Sequence, residues 1–131
     1  MKDLISIDQL TLKEISAIHD SAEKFFKNPH KQYLNLAGKL LINFFFENST
    51  RTRMSFEIAA KRMGAEVVNI DIALSSLKKG ESIIDTAKTI DAMRPNFVAI
   101  RHNSSGMVQL LKQHISAALI NAGDGTNEHP S

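Results

Sequence analysis

The amino-acid sequence predicts an α/β fold in which helices cover both faces of a parallel four-stranded sheet. Apolar segments of strand length alternate with segments that repeat apolar residues every three or four positions, which is typical of βαβ units with right-handed crossovers. Residues 40–46 form a hydrophobic stretch without the alternation of a half-exposed strand, as expected for a strand buried on both faces. The chain has 131 residues, 43% of them hydrophobic, so we expect one domain with its own core.

The first predicted helix runs from Thr11 to about Asn28. Thr11 and Glu14 have the spacing of a capping box, and Pro29 follows the end of the helical pattern. Apolar residues recur along one face of this helix, at Ile15, Ile18, Ala22 and Phe25.

A second helix is predicted to follow the strand at residues 40–46 after a short loop. Glu57 and Lys61 are spaced to pair on its surface, and Gly64 has the position of a C-cap. Its apolar face consists of Phe56, Ala59, Ala60 and Met63. The start of this helix would lie at the carboxyl end of the strand, where open α/β sheets bind ligands.

The remainder of the chain repeats this order of strand and helix. Further strands are predicted at residues 66–70, 96–100 and 117–120, and further helices at residues 81–93 and after Ser104-Ser105-Gly106. The residues expected to face the core are Ile83, Ala87 and Ile90 in the first of these helices and Met107, Leu110 and Leu111 in the second.

Composition excludes several classes of protein. The chain has no cysteine, which rules out disulfides and thiolate chemistry and agrees with a cytoplasmic location. No segment approaches the about 20 apolar residues of a membrane-spanning helix, and the N-terminal residues lack the apolar core of a signal peptide. The net charge is +2, with basic residues dispersed among acidic ones, so we expect no dedicated binding of nucleic acid.

The segment Ser49-Thr50-Arg51-Thr52-Arg53 predicts an anion-binding site. Hydroxyl groups, the first backbone N–H groups of the helix and two guanidinium groups converge at this helix start. A guanidinium group can hold two phosphate oxygens at once. The alternative is that the hydroxyl groups only cap the helix and the arginines are solvated.

Three further clusters follow predicted strands. Arg101-His102 ends the strand at residues 96–100, and His129-Pro130 follows the last strand after a glycine-containing loop. We expect both to join the first cluster at one edge of the sheet, with an ordinary solvated histidine as the alternative for His102. The loop at residues 75–81 combines serines, lysines and a glycine, which fits either a mobile anion clamp or a solvated loop.

These motifs resemble the aspartate/ornithine carbamoyltransferase family over essentially the whole chain. Residues 49–53 resemble the phosphate-binding motif that both branches of the family share. Residues 76–81, Arg101-His102 and the sequence Asn-Ala-Gly-Asp-Gly-Thr-Asn-Glu-His-Pro at residues 121–130 resemble the aspartate branch. The ornithine branch usually has a different loop before its His-Pro and continues with Cys.

The resemblance implies an N-terminal half of a carbamoyltransferase fold and a defined reaction. A carbamoyl group would pass from carbamoyl phosphate to the amine of L-aspartate, giving N-carbamoyl-L-aspartate and phosphate in pyrimidine biosynthesis. No metal, nucleotide cofactor or covalent intermediate is implied. The family's active sites lie between chains of a cytoplasmic homotrimer, which exists with or without regulatory subunits.

The resemblance also implies roles for individual residues. The residues that would bind carbamoyl phosphate are Ser49, Thr50, Arg51, Thr52, Arg101 and His129. The first four of these would bind the phosphate, and Arg101 would bridge the phosphate and the carbonyl group. Thr52, Arg101 and His129 would surround the carbonyl oxygen and stabilise its developing charge. Ser76 and Lys79 would reach into the site of a neighbouring subunit, with the adjacent Ser75 as an alternative to Ser76.

Part of the family's pattern is expected outside this sequence. The family's chain is much longer, has a second domain that binds aspartate, and carries a glutamine shortly after its His-Pro. Glu47 resembles a residue that pairs with arginines of that second domain, so we expect its partners to lie there. Residues 1–131 would then be the carbamoyl-phosphate-binding domain, inactive alone. The alternatives are an ornithine-type or other carbamoyltransferase and a non-catalytic phosphate-binding or assembly module.

Overall fold

The computed structural model describes residues 2–71 and 82–130. The helices of this part of the chain are α1 (Leu12–Lys27), α2 (Thr50–Arg62), α3 (Ile83–Ala92) and α4 (Met107–Leu111). The strands are β1 (Leu40–Phe45), β2 (Glu66–Asp71), β3 (Phe97–His102) and β4 (Ala118–Asp124). The strands lie in the order β2-β1-β3-β4 and all neighbours are parallel, which confirms the predicted four-stranded α/β sheet.

Two hydrophobic clusters cover the two faces of the sheet. On one face, α3 and α4 contribute Ile90 and Leu111 to a cluster that includes Phe44 and Ile100 from the strands. On the other face, α2 packs through Ala60 in a smaller cluster, whose strand residues are Leu41, Phe45, Ala99 and Ala122. Helices therefore lie on both faces, as a parallel sheet requires.

Local hydrogen bonds explain where the helices begin. The Thr11 hydroxyl accepts a hydrogen bond from the backbone N–H of Glu14 at 3.2 Å, and the Glu14 carboxylate accepts one from the N–H of Thr11 at 2.8 Å. This is the predicted capping box of α1. The Ser82 hydroxyl accepts a bond from the N–H of Asp85 at 3.1 Å, so α3 starts two residues later than expected.

Two predicted helix faces differ from the structure. The apolar face of α1 is not buried against the described part of the chain, and Ile18 and Phe25 are exposed. In α4, Val108 is fully buried while Leu110 is 39% exposed, so the prediction that Leu110 faces inward is wrong. A helix of only five residues is too short for apolar spacing to define its buried face.

The last strand is longer than predicted and continues to Asp124. It can include the polar Asn121 because both polar atoms of that buried side chain are hydrogen-bonded. Its Nδ2 donates to the carbonyl of Ile5 at 2.9 Å, and its Oδ1 accepts from the N–H of Gly123 at 2.9 Å. Because the strands are parallel, the ends of β1, β3 and β4 meet at one edge of the sheet. In the described part of the chain, none of the helices has the length and hydropathy to cross a membrane.

Candidate functional site

The start of α2 lies at this edge and is open to a ligand. Ser49 occupies the N-cap position with φ −146° and ψ 77°, and its side chain makes no capping hydrogen bond. The backbone N–H of Arg53 bonds to the carbonyl of Ser49 at 3.0 Å, while the first helical N–H groups have no acceptor within the helix. The Ser49 hydroxyl is thus not used as a cap, which argues against the alternative that it serves only to cap the helix.

A cavity of about 410 Å³ joins two of the predicted clusters. Its lining includes Arg51 and Thr52 from the first turn of α2 and His129 from the segment after β4. A second, much smaller cavity of about 20 Å³ is lined by Phe45, Glu47, Asn48, Ser49, Thr50 and Arg53. The structure therefore brings Arg51 and Thr52 together with His129, whereas Ser49, Thr50 and Arg53 line the smaller cavity.

Arg101, near the end of β3, is held by contacts on two sides. Its Nε donates to the Glu47 carboxylate at 2.8 Å, and its Nη1 donates to the carbonyl of Ala122 at 2.9 Å. Gly123 lies directly beneath the guanidinium group, because a Cβ atom added there would lie 2.6 Å from Nη1. These two contacts use two of the five N–H donors of the guanidinium group.

The Glu47 carboxylate pairs with Arg101 inside this chain. Its expected pairing with arginines of a second domain stays a prediction. Glu47 follows β1 and Arg101 belongs to β3, and these strands are neighbours in the sheet. The pair therefore depends on strand order, which the sequence pattern does not encode.

His129 lies within the electrostatic field of Arg101. The pKa of His129 is lowered, first because partial burial disfavours the charged ring and second because the Arg101 charge repels a proton there. This lowering favours the neutral imidazole, which carries one N–H donor and one acceptor nitrogen. Such a ring can donate a hydrogen bond to a carbonyl oxygen.

His102 does not join the site, so that expectation is wrong. Neighbouring strand residues point to opposite faces of a sheet. The centroid of the His102 ring lies 4.7 Å from that of the Phe46 ring, and only 7% of the surface of His102 is exposed. Its Nδ1 accepts a hydrogen bond from the N–H of Ser104 at 2.8 Å. Burial lowers the pKa of His102, although the nearby Asp124 carboxylate opposes this effect.

Two groups of residues complete the comparison with the sequence predictions. Ser76, its neighbour Ser75, and Lys79 lie outside the described residues, so their predicted role in a neighbouring site stays a prediction. Sequence reasoning missed Gly123 and Asp124 as part of the site's support. The signal was present in the Gly-Asp-Gly sequence at residues 123–125, two residues after the predicted strand.

Comparison with known proteins places this geometry in context. Residues 2–131 match the family described as aspartate/ornithine carbamoyltransferase, carbamoyl-P binding domain. Curated relatives include the aspartate carbamoyltransferase catalytic subunits of Sulfurimonas denitrificans, 50% identical over 131 residues, and Sphingopyxis alaskensis, 52% identical over 134 residues. The matches cover 100% and 99% of this chain but 44% and 39% of those proteins, so the chain spans less than half of their length.

Solved structures that match this fold include aspartate transcarbamoylases. The catalytic subunit of M. jannaschii aspartate transcarbamoylase superposes with a TM-score of 0.89 at 42% identity, over 99% of this chain and 43% of that one. Trypanosoma cruzi aspartate transcarbamoylase in complex with carbamoyl phosphate gives a TM-score of 0.87 at 33% identity, over 98% of this chain and 42% of that one. The Trypanosoma cruzi protein has also been solved with carbamoyl aspartate and phosphate.

Proposed function

Because the chain belongs to the aspartate/ornithine carbamoyltransferase family, we propose that residues 1–131 form a carbamoyl-phosphate-binding domain that holds the phosphate at the start of α2. One observation carries this proposal. The uncapped start of α2 opens beside a cavity that Arg51, Thr52 and His129 share. Free backbone N–H groups and the positive end of a helix are a general binding site for phosphate.

The phosphate contacts follow from the chemistry of the helix start. Ser49, Thr50 and Thr52 supply hydroxyl donors, and Arg51 supplies a fork that can engage two phosphate oxygens. These groups come from consecutive residues of one rigid helix turn, so they are preorganised for a single anion. The Trypanosoma cruzi relative that was solved with carbamoyl phosphate has the same fold, which supports this choice of ligand.

The carbonyl group would lie between the helix start and the ends of β3 and β4. The amine attacks the carbonyl carbon, the C–N bond forms, and the bond from that carbon to the phosphate oxygen then breaks. Negative charge develops on the carbonyl oxygen before the phosphate leaves. Thr52, Arg101 and neutral His129 are the donors proposed for this oxygen, and losing one such donor typically costs about 3 kcal/mol of transition-state stabilisation. The proton lost by the amine leaves with the phosphate.

L-aspartate is the proposed acceptor of the carbamoyl group. The curated relatives and solved structures described above are all aspartate enzymes, which supports aspartate over ornithine. Since this chain spans less than half of their length, transfer is proposed for the longer polypeptide of the family, with this chain alone binding carbamoyl phosphate without turnover. A homotrimeric assembly, contributions of Ser76 and Lys79 to a neighbouring site, regulatory subunits and a cytoplasmic location stay predictions.

A matched pair of arginine variants tests the phosphate site. Arg51→Ala removes a guanidinium from the first turn of α2, whereas Arg62→Ala removes the same charge from its last turn, about 16 Å along the helix axis. Isothermal titration with inorganic phosphate and carbamoyl phosphate should show affinity lowered about ten- to a hundredfold in Arg51→Ala, as expected for a charge-assisted hydrogen bond. Arg62→Ala should bind like the parent. Equal affinities in all three proteins, or equal losses in both variants, would refute binding at this helix start.

A further inference from the structure

Asp124, the last residue of β4, has a buried side chain between two loops. Only 3% of its surface is exposed. Its Oδ2 accepts hydrogen bonds from the N–H of Gly106 and from Nδ2 of Asn127, both at 3.2 Å. Its Oδ1 has no hydrogen-bond partner among the described residues. A buried carboxylate with one unsatisfied oxygen is costly, so core stability does not account for its presence.

The backbone beside Asp124 joins the same two loops. The carbonyl of Asp124 accepts from the hydroxyl of Ser105 at 3.2 Å, and its N–H donates to the carbonyl of Glu128 at 2.9 Å. The N–H of Gly125 donates to the carbonyl of His102 at 2.9 Å. The loops approach so closely that a Cβ atom on Gly125 would lie 2.9 Å from the backbone nitrogen of Ser105.

Two of the residues joined by these contacts are sequence neighbours of residues of the proposed site. His102 directly follows Arg101 in the chain, and Glu128 directly precedes His129. A shift of one loop against the other would therefore change the separation of the Arg101 and His129 side chains. The hydrogen bonds of Asp124 oppose such a shift, because they tie the segment after β3 to the segment after β4.

We propose that Asp124 is a positioning residue that sets the geometry of Arg101 relative to His129 by joining the loops after β3 and β4. It touches neither the proposed phosphate site nor the carbonyl donors directly, and it acts through the loops that carry them. The geometric part of this proposal is independent of the ligand. Its expected effect on phosphate affinity rests on the proposed function.

Three variants and one control test the proposal in the 131-residue chain. Asp124→Ala removes both side-chain hydrogen bonds. Asp124→Asn keeps an oxygen that can accept from Gly106 and Asn127, and Asn127→Ala removes only one of the two bonds. Ile90→Ala is the control, because it removes a buried side chain from α3 on the other side of the sheet from α2 and destabilises the fold without touching these loops.

The first readout is the titration of the assigned His129 ring followed by NMR. In Asp124→Ala the His129 pKa should rise towards its ordinary value, because the loop that carries His129 is no longer held in place next to Arg101. Asp124→Asn should retain the parent's titration, and Asn127→Ala should shift it in the same direction as Asp124→Ala but less. Ile90→Ala should lose stability with an unchanged His129 pKa.

The second readout is affinity for inorganic phosphate by isothermal titration. Asp124→Ala should bind about ten- to a hundredfold more weakly, in line with the effect of ångström-scale misplacement of binding groups, and Asp124→Asn should stay close to the parent. If the parent binds no phosphate, the proposed function fails while the His129 titration still decides the positioning role. An unshifted His129 pKa in Asp124→Ala, or an equal shift in Ile90→Ala, would overturn the proposal. If Asp124→Ala does not fold, an unshifted pKa in Asn127→Ala overturns it in the same way.

Discussion

Replacing Arg101 should weaken both the fold and the binding of phosphate. Arg101→Ala removes the Nη1 donor from the carbonyl of Ala122, a residue with no exposed surface, and an unsatisfied buried acceptor costs about 1–3 kcal/mol. The variant also removes the ion pair with Glu47. The side chain of Arg101 is 22% exposed and that of Glu47 is 36% exposed, so the pair contributes only about 0.2–1 kcal/mol. The free energy of unfolding should therefore fall by about 1–4 kcal/mol.

The binding effect of Arg101→Ala can be separated from this loss of stability. Urea unfolding measures stability, and isothermal titration with phosphate, at a temperature where the variant is folded, measures affinity. Affinity should fall about ten- to a hundredfold, the equivalent of one charge-assisted hydrogen bond. Arg101→Lys keeps the charge but cannot reach both Glu47 and Ala122, so its affinity should be intermediate.

Arg62→Ala is the control for the loss of one positive charge, since Arg62 is exposed in the last turn of α2. If Arg101→Ala binds phosphate as tightly as Arg62→Ala does, Arg101 does not contact the anion. If its unfolding free energy is also unchanged, the contacts with Glu47 and Ala122 contribute nothing measurable.

Three further variants extend these expectations. Gly123→Ala should lower phosphate affinity, because φ is +135° there and the new Cβ would lie 2.6 Å from Nη1 of Arg101; a parent-like titration isotherm would contradict this. Burial lowers the pKa of His102 in the folded chain below its ordinary value of 6.5. Between the folded and the unfolded pKa, the unfolded chain binds a proton that the folded chain does not. The free energy of unfolding therefore falls as the pH falls through that window. His102→Asn should reduce the loss of unfolding free energy between pH 7.5 and pH 5.5 in urea titrations, and an equal loss in parent and variant would exclude His102 as its source. Thr11→Ala removes the capping bond to Glu14 and should destabilise α1 locally by about 1 kcal/mol, seen as faster hydrogen exchange in α1, with α3 as the internal reference.

Much of the fold could be predicted from local patterns. The strand at residues 40–46 lacked alternation, and in the structure five of the six residues of β1 are buried. The capping box at Thr11 and Glu14 formed as its spacing required. These features depend on residues within a few positions of one another, where the periods of helices and strands act directly.

The sequence by itself also determined the chemistry of the candidate site. Residues 49–53 brought hydroxyl and guanidinium groups to one helix start, and the order of strand, loop and helix directed that start to the carboxyl edge of the sheet. Arg101 and His129 were expected at the same edge because each follows a predicted strand. All of these inferences required only that the strands be parallel.

Only the tertiary structure decided how these groups are held. The ion pair of Glu47 with Arg101, the burial of His102 against Phe46, and the hydrogen bonds of Asp124 join segments that are distant in the chain. Such contacts depend on which strands are neighbours, on which face each strand residue takes, and on how closely two loops approach. These properties arise when the whole chain packs around its two hydrophobic clusters. A shift of one residue in the register of β3, for example, would place Arg101 and His102 on the opposite faces of the sheet.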